Sequence, residues 1–135
     1  MALLHDVLTM EVRDYELDMQ GIVNNTNYQH YLEHARHVFI KKLGIDFAEF
    51  ARRKIDLVVV RVELDYKRPL TSGDTFRVDS TLVKLSPIRF CFDQNIIRSS
   101  DDTICLAGKV ICTALNERRR PCMPEELEKL FAEHV

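Results

Sequence analysis

The chain has 135 residues, 46% of them hydrophobic and 30% charged, with a formal charge of −2. That balance predicts one soluble globular domain over 1–135 with an ample core, and it excludes a basic nucleic-acid binder. No apolar run reaches the roughly 18–20 residues of a membrane span, and Met1–Leu8 is too short and lacks the basic start of a secretory signal.

Residues 5–14 alternate loosely and read as a first strand. Residues 15–26 are polar, contain Gly21 and read as a loop. Tyr28, Tyr31, Leu32, Ala35, Val38, Phe39 and Leu43 then recur at helical spacing, which predicts a helix over 27–43. Asn25, Thr26 and Asn27 are its candidate N-caps, and Lys41, Lys42 and Gly44 form its stop signal. A short second helix is expected near 45–53.

From Ile55 the period changes to two. Val58, Val60, Val62, Leu64 and Tyr66 alternate with Arg61, Glu63, Asp65 and Lys67, and Pro69 with the Thr71–Asp74 turn ends that strand. Phe76, Val78, Ser80 and Leu82 mark the next strand. After the Leu85–Pro87 turn, Ile88, Phe90, Phe92 and Ile96 mark a third. Residues 103–115 are almost wholly apolar, which predicts a central strand covered on both faces. Pro124 opens a short terminal helix. Consecutive strands joined by such turns are antiparallel. The predicted class is α+β: an antiparallel sheet of about five strands wrapped around a central helix, the hotdog arrangement. Four cysteines without a CxxC pair read as free thiols in a cytoplasmic protein, and Arg118–Arg120 reads as a turn flank.

Two chemistries compete within residues 14–37. His30, Glu33 and His34 match H-x-x-E-H, the inverted zinc-protease pattern, and His37 adds a possible ligand. At 100° per residue, however, these histidines lie opposite the apolar stripe, and no further ligand stands out elsewhere. The expectation is that they are solvated, with no metal and no cofactor.

The other chemistry comes with a resemblance. The stretch DYELDMQGIVNNTNYQHYLEHAR resembles the signature of hotdog thioesterases of the 4-hydroxybenzoyl-CoA thioesterase type through Asp18, Gly21, Val23, Asn27, Tyr28, Tyr31, Glu33, Ala35 and Arg36. Looser likeness continues through residues 58–74 and the last strand-to-helix passage. The family's first acid in this loop is often aspartate, and here it is Glu16. The paired Asn24–Asn25 stands where many members carry histidine or an aromatic residue, and it is more like variants acting on fatty acyl thioesters.

The resemblance implies hydrolysis of an acyl-CoA or acyl-carrier-protein thioester, with Asp18 as nucleophile or general base. The backbone N–H of Asn25 is then the oxyanion donor. A helix N-terminus suits that role because its free N–H groups and dipole favour negative charge. Gly21 permits a tight bend and close approach to substrate. Val23, Asn24 and Tyr28 are the implied substrate contacts. Lys84 and Arg89 are candidates for the coenzyme A phosphates, with Arg118–Arg120 as a second group. Glu33 suits an ion pair with Arg36 or His37. The family's pocket lies between subunits, which implies a homodimer or homotetramer. Enoyl-thioester hydratases share the fold but bring a histidine to the pocket, and residues 15–29 contain none. A non-catalytic acyl-thioester binder keeps the fold and leaves Asp18 idle.

Overall fold

The computed structural model describes residues 4–134. Met1–Leu3, the start of the segment read as lacking a secretory leader, and Val135 lie outside the described residues. In chain order the elements are β1 (His5–Glu11), a single 3-10 turn (Asp14–Glu16), α1 (Asn25–Lys42), α2 (Phe47–Arg52), β2 (Asp56–Tyr66), β3 (Thr75–Lys84), β4 (Phe90–Arg98), β5 (Ile104–Leu115), β6 (Pro121–Cys122) and α3 (Glu125–Glu133).

The sheet runs β1-β3-β4-β5-β2, with the two-residue β6 on β5, and every pairing is antiparallel. The β3-β4-β5 meander follows from its short turns. β2 departs from that pattern: it pairs with β5 on one edge, while β3 pairs with β1 near the other. Residues 67–74 are therefore a crossing and not a hairpin. Leu70, in the middle of that crossing, is fully buried, so core packing and not turn chemistry sets its path.

α1 buries Tyr28, Tyr31, Leu32, Ala35, Phe39 and Ile40 against the concave face of the sheet. It starts earlier than the sequence pattern suggests because Asn24 is the N-cap, not Asn25, Thr26 or Asn27. Asn24 Oδ1 accepts from Thr26 N at 3.1 Å. Two apolar clusters pack along α1. Phe39, Ile40, Phe50, Phe90 and Phe92 fill its C-terminal end. Val23, Tyr28, Tyr31, Leu70, Phe76 and Ile96 fill its N-terminal end. Each large side chain fully buried contributes roughly 1.5–3 kcal/mol. Between them Gln94, wholly buried, donates to Leu32 O (3.1 Å) and Ser80 Oγ (3.0 Å).

Two strands differ from expectation. β2 was expected to present Val58, Val60, Val62, Leu64 and Tyr66 on one face, but its register shifts between Val59 and Arg61. The bulge flips the phase: Leu57 and Val59 face the same way as Val62 and Leu64, lying opposite Ala114, Cys112, Val110 and Gly108 of β5. β5 is interior to the sheet but covered on both faces only in part. Cys105 and Thr113 are buried, whereas Lys109 is exposed. The four cysteines are free thiols, three of them buried.

Candidate active site

The acid loop is built by backbone hydrogen bonds. An isolated bridge joins Leu17 to Val23 and another joins Ile22 to Thr71 of the crossing. Between the first pair, Asp18 N donates to Ile22 O (2.8 Å) and Gly21 N to Asp18 O (3.1 Å). This is a tight turn with Asp18 at its start. Gly21 sits at φ +79°, a conformation that L side chains rarely adopt. A Cβ there meets no atom within 4 Å, so the requirement for glycine is conformational and not one of crowding.

Asp18 Oδ1 accepts from Gln20 N at 2.8 Å and from Ile22 N at 3.4 Å. These bonds fix the carboxylate against its own turn and leave Oδ2 without a partner among the described residues. The chain then enters α1. Asn24 N donates to Glu16 O (3.0 Å), and Asn27 N closes the first turn on Asn24 O (2.9 Å). Thr26 N is taken by the Asn24 cap. Among the described residues the N–H of Asn25 has no acceptor, so it is an unspent donor at the positive end of the helix.

Two residues hold this loop on the helix that sequence reasoning did not assign. Glu16 is 8% exposed, and its Oε1 accepts from Tyr31 Oη and Arg13 N, both at 2.8 Å. Asn27 Nδ2 donates to Glu16 O at 2.8 Å. Burial, then the bond to Glu16, raise the Tyr31 pKa well above the usual phenol value, so the hydroxyl stays a donor. The sequence signal for these bonds was the acid two residues before Asp18, with Asn27 and Tyr31 present in the same signature but without these roles.

The remaining expected site residues divide. Asn24 and Asn25 are exposed at the helix start beside the loop. Val23 and Tyr28 are 1% and 3% exposed and belong to the core of this subunit. The Tyr28 hydroxyl accepts from Leu70 N (3.0 Å), which ties the crossing to α1, and burial raises its pKa. Lys84 and Arg89 lie at the opposite end of β3 and β4, beside the C-terminal end of α1, so this subunit does not bring them to Asp18. Lys84 binds Glu128 at 2.7 Å. Arg118 and Arg120 flank a tight turn in which Asn116 Oδ1 accepts both their backbone N–H groups, and Arg119 pairs with Asp56. Nearer the loop, Lys67 and Arg68 are exposed and without an acidic partner among the described residues.

His30, His34 and His37 are exposed, as the helical phase required, and no three metal-ligating side chains converge among the described residues. Glu33 makes no ion pair there with Arg36 or His37. The Arg36 guanidinium turns instead to Gln94 Oε1 (3.1 Å), and burial lowers its pKa.

A groove leads away from the helix start between α1 and β2. Its first part, about 340 Å³, is lined by Thr26, Gln29, His30, Glu33, Val59 and Val62. A second part of similar volume, about 340 Å³, continues past Arg36 to Ile40, Phe47, Phe50 and Phe92. The two share Glu33, Arg36 and Val59, so they adjoin along α1, the first polar at the helix start and the second aromatic at its far end.

The pattern of the Thioesterase-like superfamily matches residues 12–131, from the end of β1 into α3. The chain belongs to this superfamily. Among similar proteins, the chloroplastic acyl-acyl carrier protein thioesterase ATL3 of Arabidopsis thaliana is 35% identical over 97% of this chain and 69% of its own length. The long-chain acyl-CoA thioesterase FadM of Escherichia coli is 32% identical over 93% of this chain and 96% of its own. The fold agrees with that of a 1,4-dihydroxy-2-naphthoyl-CoA thioesterase from Synechocystis, with TM-score 0.89 at 16% identity over 96% of each chain. It also agrees with a Staphylococcus aureus protein in complex with CoA, with TM-score 0.89 at 19% identity over 99% of this chain and 85% of that one. This member of the thioesterase-like superfamily is a hotdog-fold thioester hydrolase acting on acyl-CoA, acyl-carrier-protein or related thioesters. No helix among its described residues is long and apolar enough to cross a membrane.

Proposed function

We propose that the chain hydrolyses aliphatic acyl thioesters carried on CoA or acyl carrier protein, with Asp18 as the reacting carboxylate and the Asn25 N–H as oxyanion donor. One observation carries this reading: a turn-fixed carboxylate with a spare oxygen stands in the loop that ends at an unspent helix N–H. Asp18 either attacks the thioester carbonyl carbon itself or takes a proton from a water that attacks it. In both routes negative charge gathers on the carbonyl oxygen, where the Asn25 donor stabilises it. The C–S bond then breaks, and the thiolate leaves and takes up a proton. Water supplies the second oxygen of the free acid, in the first route by hydrolysing the mixed anhydride.

The acyl chain lies in the groove between α1 and β2. A second copy of the chain closes that groove. β2 is an edge strand whose outer backbone row is unpaired among the described residues, and Val59, Val60, Val62 and Tyr66 along it are 40–48% exposed. Lys67 and Arg68, at the end of that strand, suit the phosphates of the carrier. Lys84 and Arg89 serve that purpose only from a neighbouring subunit. Buried, free cysteines fit a reducing compartment such as the cytoplasm.

The test is release of free thiol from a series of acyl-CoA and acyl-carrier-protein substrates by the wild type and by Asp18→Asn. Asparagine keeps the Oδ1 bonds to Gln20 and Ile22 but removes the reacting carboxylate. A loss of ~10²-fold or more in kcat is expected. Undiminished turnover by the variant would sink the mechanism, and no thiol release from any substrate by the wild type would sink the activity.

A further inference from the structure

We infer that Glu16 is the positioning residue that sets Asp18 against the N-terminus of α1, and that it does so through the length of its side chain and its accepting oxygen. The inference rests on reading Asp18 as the reacting carboxylate. Glu16 stands two residues before Asp18 and eight before Asn24, and it touches both sides of the site. Its backbone carbonyl accepts from Asn24 N (3.0 Å) and from the Asn27 side chain (2.8 Å), which draws the first turn of α1 onto the loop. Its side chain reaches into the core, where Oε1 accepts from Tyr31 Oη at 2.8 Å and from Arg13 N at 2.8 Å. One residue therefore ties the strand entering the loop, the loop itself and two turns of the helix.

The environment sharpens the point. Glu16 is 8% exposed, and among the described residues no cation pairs with it. The Arg13 guanidinium turns to Tyr15 Oη at 3.1 Å. A carboxylate buried among neutral donors is costly to keep, so its value lies in what it holds. Tyr31 is a rigid anchor for it: the ring is 2% exposed and packs on Tyr28 and Phe76 at centroid distances of 6.1 and 4.7 Å. Both bonds end on the same oxygen, Oε1. Side-chain length is thus the property that matters, and a residue one methylene shorter falls short of Tyr31 while the backbone stays in place.

The variants Glu16→Asp, Glu16→Gln, Tyr31→Phe and the double Glu16→Asp/Tyr31→Phe separate the possibilities. Glu16→Gln keeps both the length and the accepting oxygen, so its kcat stays within about twofold of wild type. Glu16→Asp and Tyr31→Phe each lower kcat by ~10- to 100-fold, the scale of small misplacements at a reacting centre. KM changes little, because the groove is untouched. The double variant is no worse than the poorer single one, since both break the same bond.

Amide hydrogen exchange of residues 17–23, measured on the same proteins, rises in Glu16→Asp and Tyr31→Phe and not in Glu16→Gln. Thermal unfolding midpoints show that each variant is folded at the assay temperature. The inference is overturned if Glu16→Asp keeps wild-type kcat and exchange, if Glu16→Gln is as impaired as Glu16→Asp, or if the loss falls on KM. If the wild type releases no thiol at all, the assignment of Asp18 fails, and the exchange pattern alone still decides whether Glu16 holds the loop.

Discussion

The two ends of α1 are built to opposite plans. At the C-terminal end the backbone is closed. Leu43 N reaches Phe39 O and Ile40 O, Gly44 N reaches Lys41 O and Ile45 N reaches Ile40 O, all within 3.0–3.3 Å. A wall of phenylalanines packs around that end, with Phe39–Phe92 and Phe90–Phe92 centroids both 6.0 Å apart. At the N-terminal end the packing is tyrosine-rich, hydroxyls are tied to loop groups, and the Asn25 donor is left unspent. Closed backbone and apolar packing stabilise the helix; the open end keeps the polar capacity that chemistry needs. Backbone closure and the proposed reacting groups therefore sit at opposite ends of one helix.

Substitutions at the two ends test that separation. The largest effect belongs to the closed end: Phe39→Ala, buried there and outside the groove lining, is expected to cost about 3–5 kcal/mol of stability in urea unfolding. Protein that remains folded should retain its kcat, and a selective loss of kcat would break the comparison. Gly21 and Gly44 form a matched pair next, with φ of +79° and +86° and open space where a Cβ would stand. Alanine at either is expected to cost roughly 1–2 kcal/mol of backbone strain. Only Gly21→Ala should also lower kcat, because its turn carries the bonds that fix Asp18; equal activity of the two variants would contradict this.

Asn24→Ala removes the cap from the open end and is expected to cost ~1 kcal/mol in unfolding. KM should rise modestly as the first turn frays, and a kinetic profile identical to wild type would show that the helix start does not need its cap.

Near neutral pH the smallest effect is a pH dependence. Burial raises the Cys112 thiol from 9.0 to about 11 and raises Tyr28 and Tyr31 above the usual 10.0. Groups that bind protons more tightly when folded stabilise fully below their unfolded pKa and lose that contribution as pH rises through the folded value. Urea midpoints should therefore be insensitive to these groups near neutrality and fall as pH climbs from about 9 towards 11. Cys112→Ser should flatten the lower part of that fall.

Much of the fold was legible because it obeys local periodicities. The stripe from Tyr28 to Phe39 specified a helix with one buried face and placed His30, His34 and His37 on the solvent side. The β3-β4-β5 meander followed from alternation and turns. The bulge in β2 was not legible, since a run of four apolar residues, Leu57–Val60, fits either phase. Nor was the crossing at 67–74, because its path is set by Leu70 packing beneath Tyr28. At the site, Asp18, Gly21 and Asn25 stood out through their resemblance to a known signature. Lys84 and Arg89 were named from the resemblance and the turn they flank, and neither says which end of the sheet that turn occupies.

By itself the sequence determined the helix, its buried and solvated faces, the strand meander and an acid-bearing turn before the helix start. These are properties of neighbours within about ten residues, governed by side-chain periodicity and backbone freedom. The tertiary structure alone decided which strand became the exposed edge, where the groove runs and what holds the acid turn in place. The bond from Tyr31 to Glu16 and the one from Leu70 to Tyr28 join residues 15 and 42 positions apart. Such contacts arise only when helix, loop and crossing are packed together, because burial is what makes each of those polar groups find its partner.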